Sequence, residues 1–280
     1  MLLSGRKALV TGSTQGVGQA IAVALANAGA DVVIHGLEEN DSATNTLARC
    51  RDAGVRAELA LADLIEPATD SSPMPGVDRL FESAITTMPG IDLLVNNAGT
   101  YIDVPFLEMD MDRFDRTMRL NVYAYYFLTQ AFARHWVARK IAGRILLIGS
   151  INGRLAEPTH TAYDASKGAV EMMVKSMCVE LAPLGIRVNG LAPGLFHTPL
   201  TAPAVDNVRF KKWMQLHTPN GSVPNPDVAG DAAAFLLSDA AQHIHGHMLM
   251  VDGGLGIWQQ PDPPQEYTVS DSNQPEQQNS

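Results

Sequence analysis

Tyr163 and Lys167 stand four residues apart, a spacing that puts both side chains on one helix face within reach of a common ligand. Ser150 lies 13 residues before Tyr163, at the end of an aliphatic run, so a loop and one helical turn can bring the two hydroxyls together. A free tyrosine titrates near pH ~10, and an adjacent ammonium favours the phenolate and lowers that value. Lys167 is the expected source of that ammonium. Ser150 can hydrogen-bond a substrate oxygen as charge develops there, and Asn121, in the helix before that run, can hold a water behind Lys167. Together they form an acid/base arrangement.

A second set of residues has the chemistry of a phosphate cradle. Thr11-Gly12-Ser13-Thr14-Gln15-Gly16-Val17-Gly18 follows the run Ala8-Leu9-Val10, and a helical pattern starts at its last glycine. Glycines there permit a tight turn, let the backbone approach a pyrophosphate, and aim backbone amides and the positive end of a helix at its charge. The spacing, G-x-x-x-G-x-G, departs from the G-x-G-x-x-G fingerprint of dinucleotide sites. Asp63-Leu64 follows the third expected strand, where the carboxylate can accept from an adenine amino group. Asn96-Asn97-Ala98-Gly99 follows the fourth, where doubly wound folds bind ligands.

Positioning these groups requires a parallel sheet. Aliphatic runs recur at Ala8-Leu9-Val10, Val32-Val33-Ile34, Leu93-Leu94-Val95, Ile145-Leu146-Leu147-Ile148 and Met248-Leu249-Met250-Val251. Amphipathic stretches such as Gly18 to Ala28 and Ala162 to Leu181 lie between them. The alternation predicts an α/β fold: a single-domain doubly wound parallel sheet with helices on both faces. Glu66 to Gly76, with three prolines, reads as a surface loop. The domain is expected to span residues 1–257, and residues 258–280, polar and without Lys or Arg, read as a disordered or partner-draped tail.

Composition narrows the partners. The chain has 280 residues, 46% of them hydrophobic, enough for one large core. A formal net charge of -10 disfavours nucleic acid and anionic membrane surfaces and leaves a small molecule as the expected partner. Cys50 and Cys178 are too few for a disulfide framework or a zinc site of their own, and no metal is expected. No signal pattern or membrane-length apolar stretch is legible, which makes the cytoplasm the default location.

In order along the chain, the Gly12, Gly16 and Gly18 cradle, Asn96-Asn97-Ala98-Gly99, Asn121, Ser150, Tyr163 with Lys167, Arg187-Val188-Asn189, Pro193-Gly194 with Thr198, and Val251-Asp252-Gly253-Gly254 resemble the short-chain dehydrogenase/reductase family. The resemblance runs from about Gly5 to Gly254. It implies a seven-stranded Rossmann sheet, an NAD(P) cofactor, and hydride transfer to a ketone or from a secondary alcohol. It further implies a catalytic tetrad of Asn121, Ser150, Tyr163 and Lys167, with Tyr163 as general acid/base and Lys167 also on the nicotinamide ribose. Pro193, Gly194 and Thr198 would meet the nicotinamide side of the cofactor, and a substrate lid would occupy about 195–220. Family members are commonly homotetramers built through the helices carrying Asn121 and Tyr163, for which Met172, Met173 and Met177 offer an apolar stripe or ordinary core.

The remaining cofactor contacts are expected from Thr14, Gln15, Val17, Gly36, Leu37, Asp63, Leu64, Asn97, Ala98 and Gly99. The second strand ends His35-Gly36-Leu37-Glu38-Glu39, with neither the Asp of many NAD-preferring relatives nor a cation for a 2'-phosphate, and two glutamates oppose a phosphate. NAD is therefore favoured over NADP. The substrate pocket is expected to use Tyr101, Asn152, Arg154, His160, Phe196 and Trp213. Its mixed character, with Arg154 and His160 able to pair a carboxylate or hydroxyls, suits a sugar, polyol or hydroxy acid. Two other readings stand beside this one: a 3-oxoacyl-[acyl-carrier-protein] reductase, disfavoured by the acidic surface, and a non-catalytic dinucleotide-sensing regulatory protein.

Overall fold

The computed structural model describes residues 1–257, so the expected tail at 258–280 lies outside the described residues. Seven strands form one sheet: β1 (Lys7–Val10), β2 (Asp31–Gly36), β3 (Ala57–Leu61), β4 (Leu93–Asn96), β5 (Arg144–Ile148), β6 (Arg187–Pro193) and β7 (Met248–Val251). All pair in parallel, in the order β3-β2-β1-β4-β5-β6-β7. Each aliphatic run of the sequence sits inside a strand. The sixth strand has no such run because Arg187, Asn189 and Gly190 interrupt it, yet all three are buried.

The helices are α1 (Gly16–Asn27), α2 (Asp41–Asp52), α3 (Pro75–Thr87), α4 (Met111–Met118), α5 (Ala124–Arg139), α6 (Thr161–Leu181), α7 (Ala202–Val205), α8 (Val208–His217) and α9 (Asp227–Leu237). Successive strand residues point to opposite faces, and the core divides accordingly. Leu9, Leu94, Ile145 and Leu147 pack with α3, α5 and α6, whereas Ala8, Val10, Leu93, Val95, Leu146 and Ile148 pack with α1 and α9. Because both faces are covered, the strands need apolar residues at every position, which is why they read as unbroken runs.

The three methionines of α6 do not form one stripe. Met173 and Met177 belong to the core, while Met172, about 100° around the helix from Met173, is 60% exposed. The chain reverses its winding at β1, which pairs with β2 on one side and β4 on the other. Ligands of doubly wound sheets bind in the crevice at such a point, beyond the carboxyl ends of the strands.

Candidate active site

At that crevice a cavity of about 410 Å³ runs from Gly36 and Leu37, past the glycine turn, to Tyr163. The turn is shaped by two glycines with left-handed backbone, Gly12 and Gly16, both at φ +59°. Gly18 is required for a different reason: a Cβ there would stand 2.3 Å from the Gly12 carbonyl oxygen. The first bond of α1 runs from the Gln19 N–H to the Gln15 carbonyl at 3.1 Å, and Gln15 gives no side-chain cap. The amides of Gly16, Val17 and Gly18 precede that bond, and the first turn holds no acid. An uncapped, glycine-lined helix start facing a cavity fits a pyrophosphate.

Every residue expected to meet the cofactor lines this cavity: Thr14, Gln15 and Val17 beside the three glycines, then Gly36, Leu37, Asp63, Leu64, Asn97, Ala98, Gly99, Tyr163, Lys167, Pro193, Gly194 and Thr198. The sequence did not indicate how these are held. Asn97 turns its amide to the backbone, donating to the Thr11 and Gly12 carbonyls at 2.9 and 3.0 Å, and the Thr11 hydroxyl accepts from the amides of Asn97 and Ala98 at 2.8 and 2.9 Å. Thr198 lies over the cradle, 3.7 Å from where a Gly16 Cβ would be. Asp63 lines the cavity but also accepts from the Ile65 N–H at 3.0 Å. Ile65, Arg116, Leu120 and Pro199–Thr201 also line it, and no motif in the sequence marks them; His35, Thr100, Ile148 and Gly149 join them.

At the other end, Ser150 and Tyr163 both line the cavity wall. Lys167 lies below them, its Nζ donating to the Ile148 carbonyl at 2.9 Å and standing 5.7 Å from the Tyr163 ring centre. Asn121 sits in a π-helical turn, Arg119–Tyr123, that joins α4 to α5. Such turns insert one residue and re-aim their side chains. Here Asn121 is fully buried; its amide donates to the Thr100 carbonyl at 2.8 Å and the Ser166 hydroxyl at 3.0 Å, and its carbonyl accepts from the Thr100 N–H at 2.9 Å. Asn121 thus ties the loop after β4 to α6.

The electrostatics correct one expectation. Burial dominates at Tyr163 and pushes the phenol up to about 12, with the neighbouring Ser150 hydroxyl pulling the other way and Asp164, Glu157 and Tyr101 adding to the rise. Burial likewise pushes Lys167 down to about 8. The ammonium therefore does not hold Tyr163 below its ordinary value in the protein alone, because removing both groups from water disfavours both charged forms. At neutral pH the pair rests as phenol and ammonium.

The six expected substrate residues separate. Tyr101 and His160 flank Tyr163, with ring centres 6.1 and 6.3 Å from it and 5.3 Å from each other. Asn152 is buried beneath them, its N–H donating to the Ser150 hydroxyl at 3.1 Å and its amide to Asp164 at 2.9 Å and Glu157 at 3.2 Å. Phe196 is buried and forms cavity wall. Arg154 is not part of the cavity lining, and its Nε donates to both oxygens of Glu171, an acid 17 residues away on α6, at 3.0 and 2.9 Å. Trp213 stands away from the cavity lining, with its ring 4.0 Å from that of His217 on the outside of α8. The loop over Tyr163 includes Thr159, a β-branched residue at φ +68°, whose carbonyl accepts from the Val104 N–H at 3.0 Å.

Comparison with known proteins agrees with this geometry. A family model described as enoyl-(acyl carrier protein) reductase matches residues 12–256. The chain is 36% identical over 260 residues to the 5-keto-D-gluconate 5-reductase of Escherichia coli strain K12, covering 90% of this chain and 96% of that one. The L-rhamnose 1-dehydrogenase (NADP(+)) of Thermoplasma acidophilum is 33% identical over 253 residues, 90% of this chain and 97% of its own. A solved gluconate 5-dehydrogenase from Burkholderia cenocepacia J2315, in complex with NADP and tartrate, superposes with a TM-score of 0.81 at 39% identity, covering 90% and 96% of the two chains.

Proposed function

The chain belongs to the short-chain dehydrogenase/reductase family and is an NAD(P)-dependent oxidoreductase acting on CH–OH groups; from that premise we propose that its substrate is a sugar or polyol, with Tyr163 as the proton donor and acceptor. A dinucleotide held along the Gly12–Gly18 turn and by Lys167 would supply or accept the hydride. In reduction, the Tyr163 phenol gives its proton to the carbonyl oxygen while the Ser150 hydroxyl donates a hydrogen bond to the same oxygen; oxidation reverses the transfer. Lys167, still an ammonium at neutral pH, stabilises the phenolate left behind, and Asn121 fixes the loop that carries Tyr101.

The observation that carries the substrate reading is the group of side chains around Tyr163, beside the cavity lining. The Tyr101 and His160 rings suit the C–H face of a sugar, and Glu157 and Asp164 offer acceptors for hydroxyls. Both acids raise the Tyr163 pKa, and Arg154 is engaged by Glu171. A neutral substrate fits that field better than a hydroxy acid.

We assign NAD as the cofactor on the residues that end β2, Gly36 and Leu37, neither of them a cation and both followed by glutamates, Glu38 and Glu39; the cations of the lining, Arg116 and Lys167, come from α4 and α6. His35 adds no charge, since burial pushes it down to about 4. For assembly, a hollow of about 690 Å³ between α5 and α6, lined by Tyr126, Ala133, Val137, Leu181 and Leu184 among others, supports pairing of copies through these helices into a tetramer. Two cysteines without a disulfide support the cytoplasm, and no helix among the described residues is long and apolar enough to cross a membrane.

The test is a panel of neutral sugars, polyols, aldonates and hydroxy acids with NAD and NADP, read at the reduced nicotinamide absorbance. Turnover of neutral hexoses or polyols with NAD is the expected result. Turnover confined to acids would overturn the neutral-substrate reading, and turnover with NADP alone would overturn the cofactor assignment.

A further inference from the structure

His35 has no place in the chemistry above, yet it is 3% exposed directly beneath the glycine turn. Its Nδ1 accepts the Gly12 N–H at 3.0 Å, so the ring proton resides on Nε2, which donates to the Ala62 carbonyl at 3.0 Å. Its backbone clasps the next residue as well: the Ser13 N–H donates to the His35 carbonyl at 2.9 Å, and the His35 N–H donates to the Ser13 hydroxyl at 3.0 Å. From the other side, Asn97 holds the Gly12 carbonyl at 3.0 Å. Both polar groups of the Gly12 backbone are therefore fixed, one from β2 and one from the turn after β4.

We propose that His35 is a positioning residue for the dinucleotide, its neutral imidazole acting as the acceptor that holds the Gly12 amide away from the cofactor and sets the left-handed turn. The inference rests on the reading of this cavity as a dinucleotide site. With the Gly12 N–H engaged, the pyrophosphate is left to the amides of Gly16, Val17 and Gly18, which precede the first bond of α1. The acceptor must be uncharged and rigid. Burial keeps the ring neutral, with Asp63 at the end of β3 the charged group acting on it. Gly36, the next residue, leaves room for the Thr14 methyl, which a Cβ would meet at 2.7 Å, so this strand end shapes two successive parts of the cradle.

Two substitutions separate positioning from mere packing. In His35→Asn the amide oxygen replaces Nδ1 as acceptor for Gly12, while the reach to Ala62 is lost; in His35→Gln the reach to Ala62 is kept and the acceptor near Gly12 is lost. NADH and NADPH affinities are measured by nucleotide fluorescence, and folding by thermal unfolding of the same samples. The expected result is that His35→Asn binds within about threefold of wild type and His35→Gln binds about tenfold more weakly, as for loss of one buried hydrogen bond. Equal affinities in the two variants, or losses that follow only their thermal midpoints, would overturn the proposal. Wild-type protein binding neither nucleotide would overturn the dinucleotide reading beneath it, a result distinct from wild-type binding with indistinguishable variants.

Discussion

At the carboxyl edge of the sheet, β1 is followed by the glycine turn, β4 ends in Asn96 and β5 is followed by Gly149 and Ser150, and backbone amides there face a cavity. At the amino edge the same strands begin with charge. Arg6 precedes β1 and pairs with Asp92 at 2.7 Å, Arg144 opens β5, and Arg187 opens β6. Arg144 donates to the Leu237 carbonyl at 2.6 Å and Arg187 to those of Leu236 and Ser238 at 3.0 and 2.7 Å, closing the carbonyl end of α9. Asp239 receives Arg6 and Arg144. One edge keeps backbone donors available for a ligand and the other saturates its acceptors with cations. The contrast separates the residues that set reaction from those that set stability.

The comparison breaks most visibly at Tyr163. Tyr163→Phe should lower turnover by on the order of a hundredfold or more while leaving nucleotide affinity and thermal midpoint near wild type. A large fall in the midpoint would mean that the two edges do not divide the work.

Arg187→Met tests the other edge. It leaves two helix-end carbonyls unpaired, at a cost of about 2–4 kcal/mol, partly offset because burial and Arg144 already push the guanidinium down to about 10. The expected drop in thermal midpoint is about 5–10 °C, with unchanged nucleotide affinity in the folded fraction. Weakened binding at full folding would show coupling between the edges.

The smallest effect concerns Asp239. Arg144, then Arg6 and Arg187, hold its carboxylate below the ordinary value, so its contribution is present above pH ~4 and lost as pH falls through the lower folded value. The side chain is 75% exposed, which keeps the effect below about 1 kcal/mol. Asp239→Asn should lower the midpoint slightly at neutral pH and flatten its acid limb, and an unaltered acid limb would assign that slope to other carboxylates.

Much of the site was legible because local rules produce it. The i, i+4 spacing of Tyr163 and Lys167 survives in any helix, and a glycine turn between strand and helix carries its own backbone requirement. Expectations failed where the packing of helices decides which way a side chain turns. Arg154 looked available until α6 brought Glu171 to it, and Trp213 faces His217 instead of the cavity. His35 resembled an ordinary strand residue because its partner, Gly12, is 23 residues earlier, in the turn after β1.

The sequence by itself therefore determined most of the strands, the cradle and the helical spacing of the groups proposed to react, since hydrophobic period and glycine spacing are properties of neighbouring residues. Tertiary structure alone decided the charge states of Tyr163 and Lys167 and the anchoring of the cradle through His35 and Asn97. It also decided which cations remain for a substrate. Each of these depends on burial and on contacts between distant segments, and neither is written in the spacing of residues along the chain.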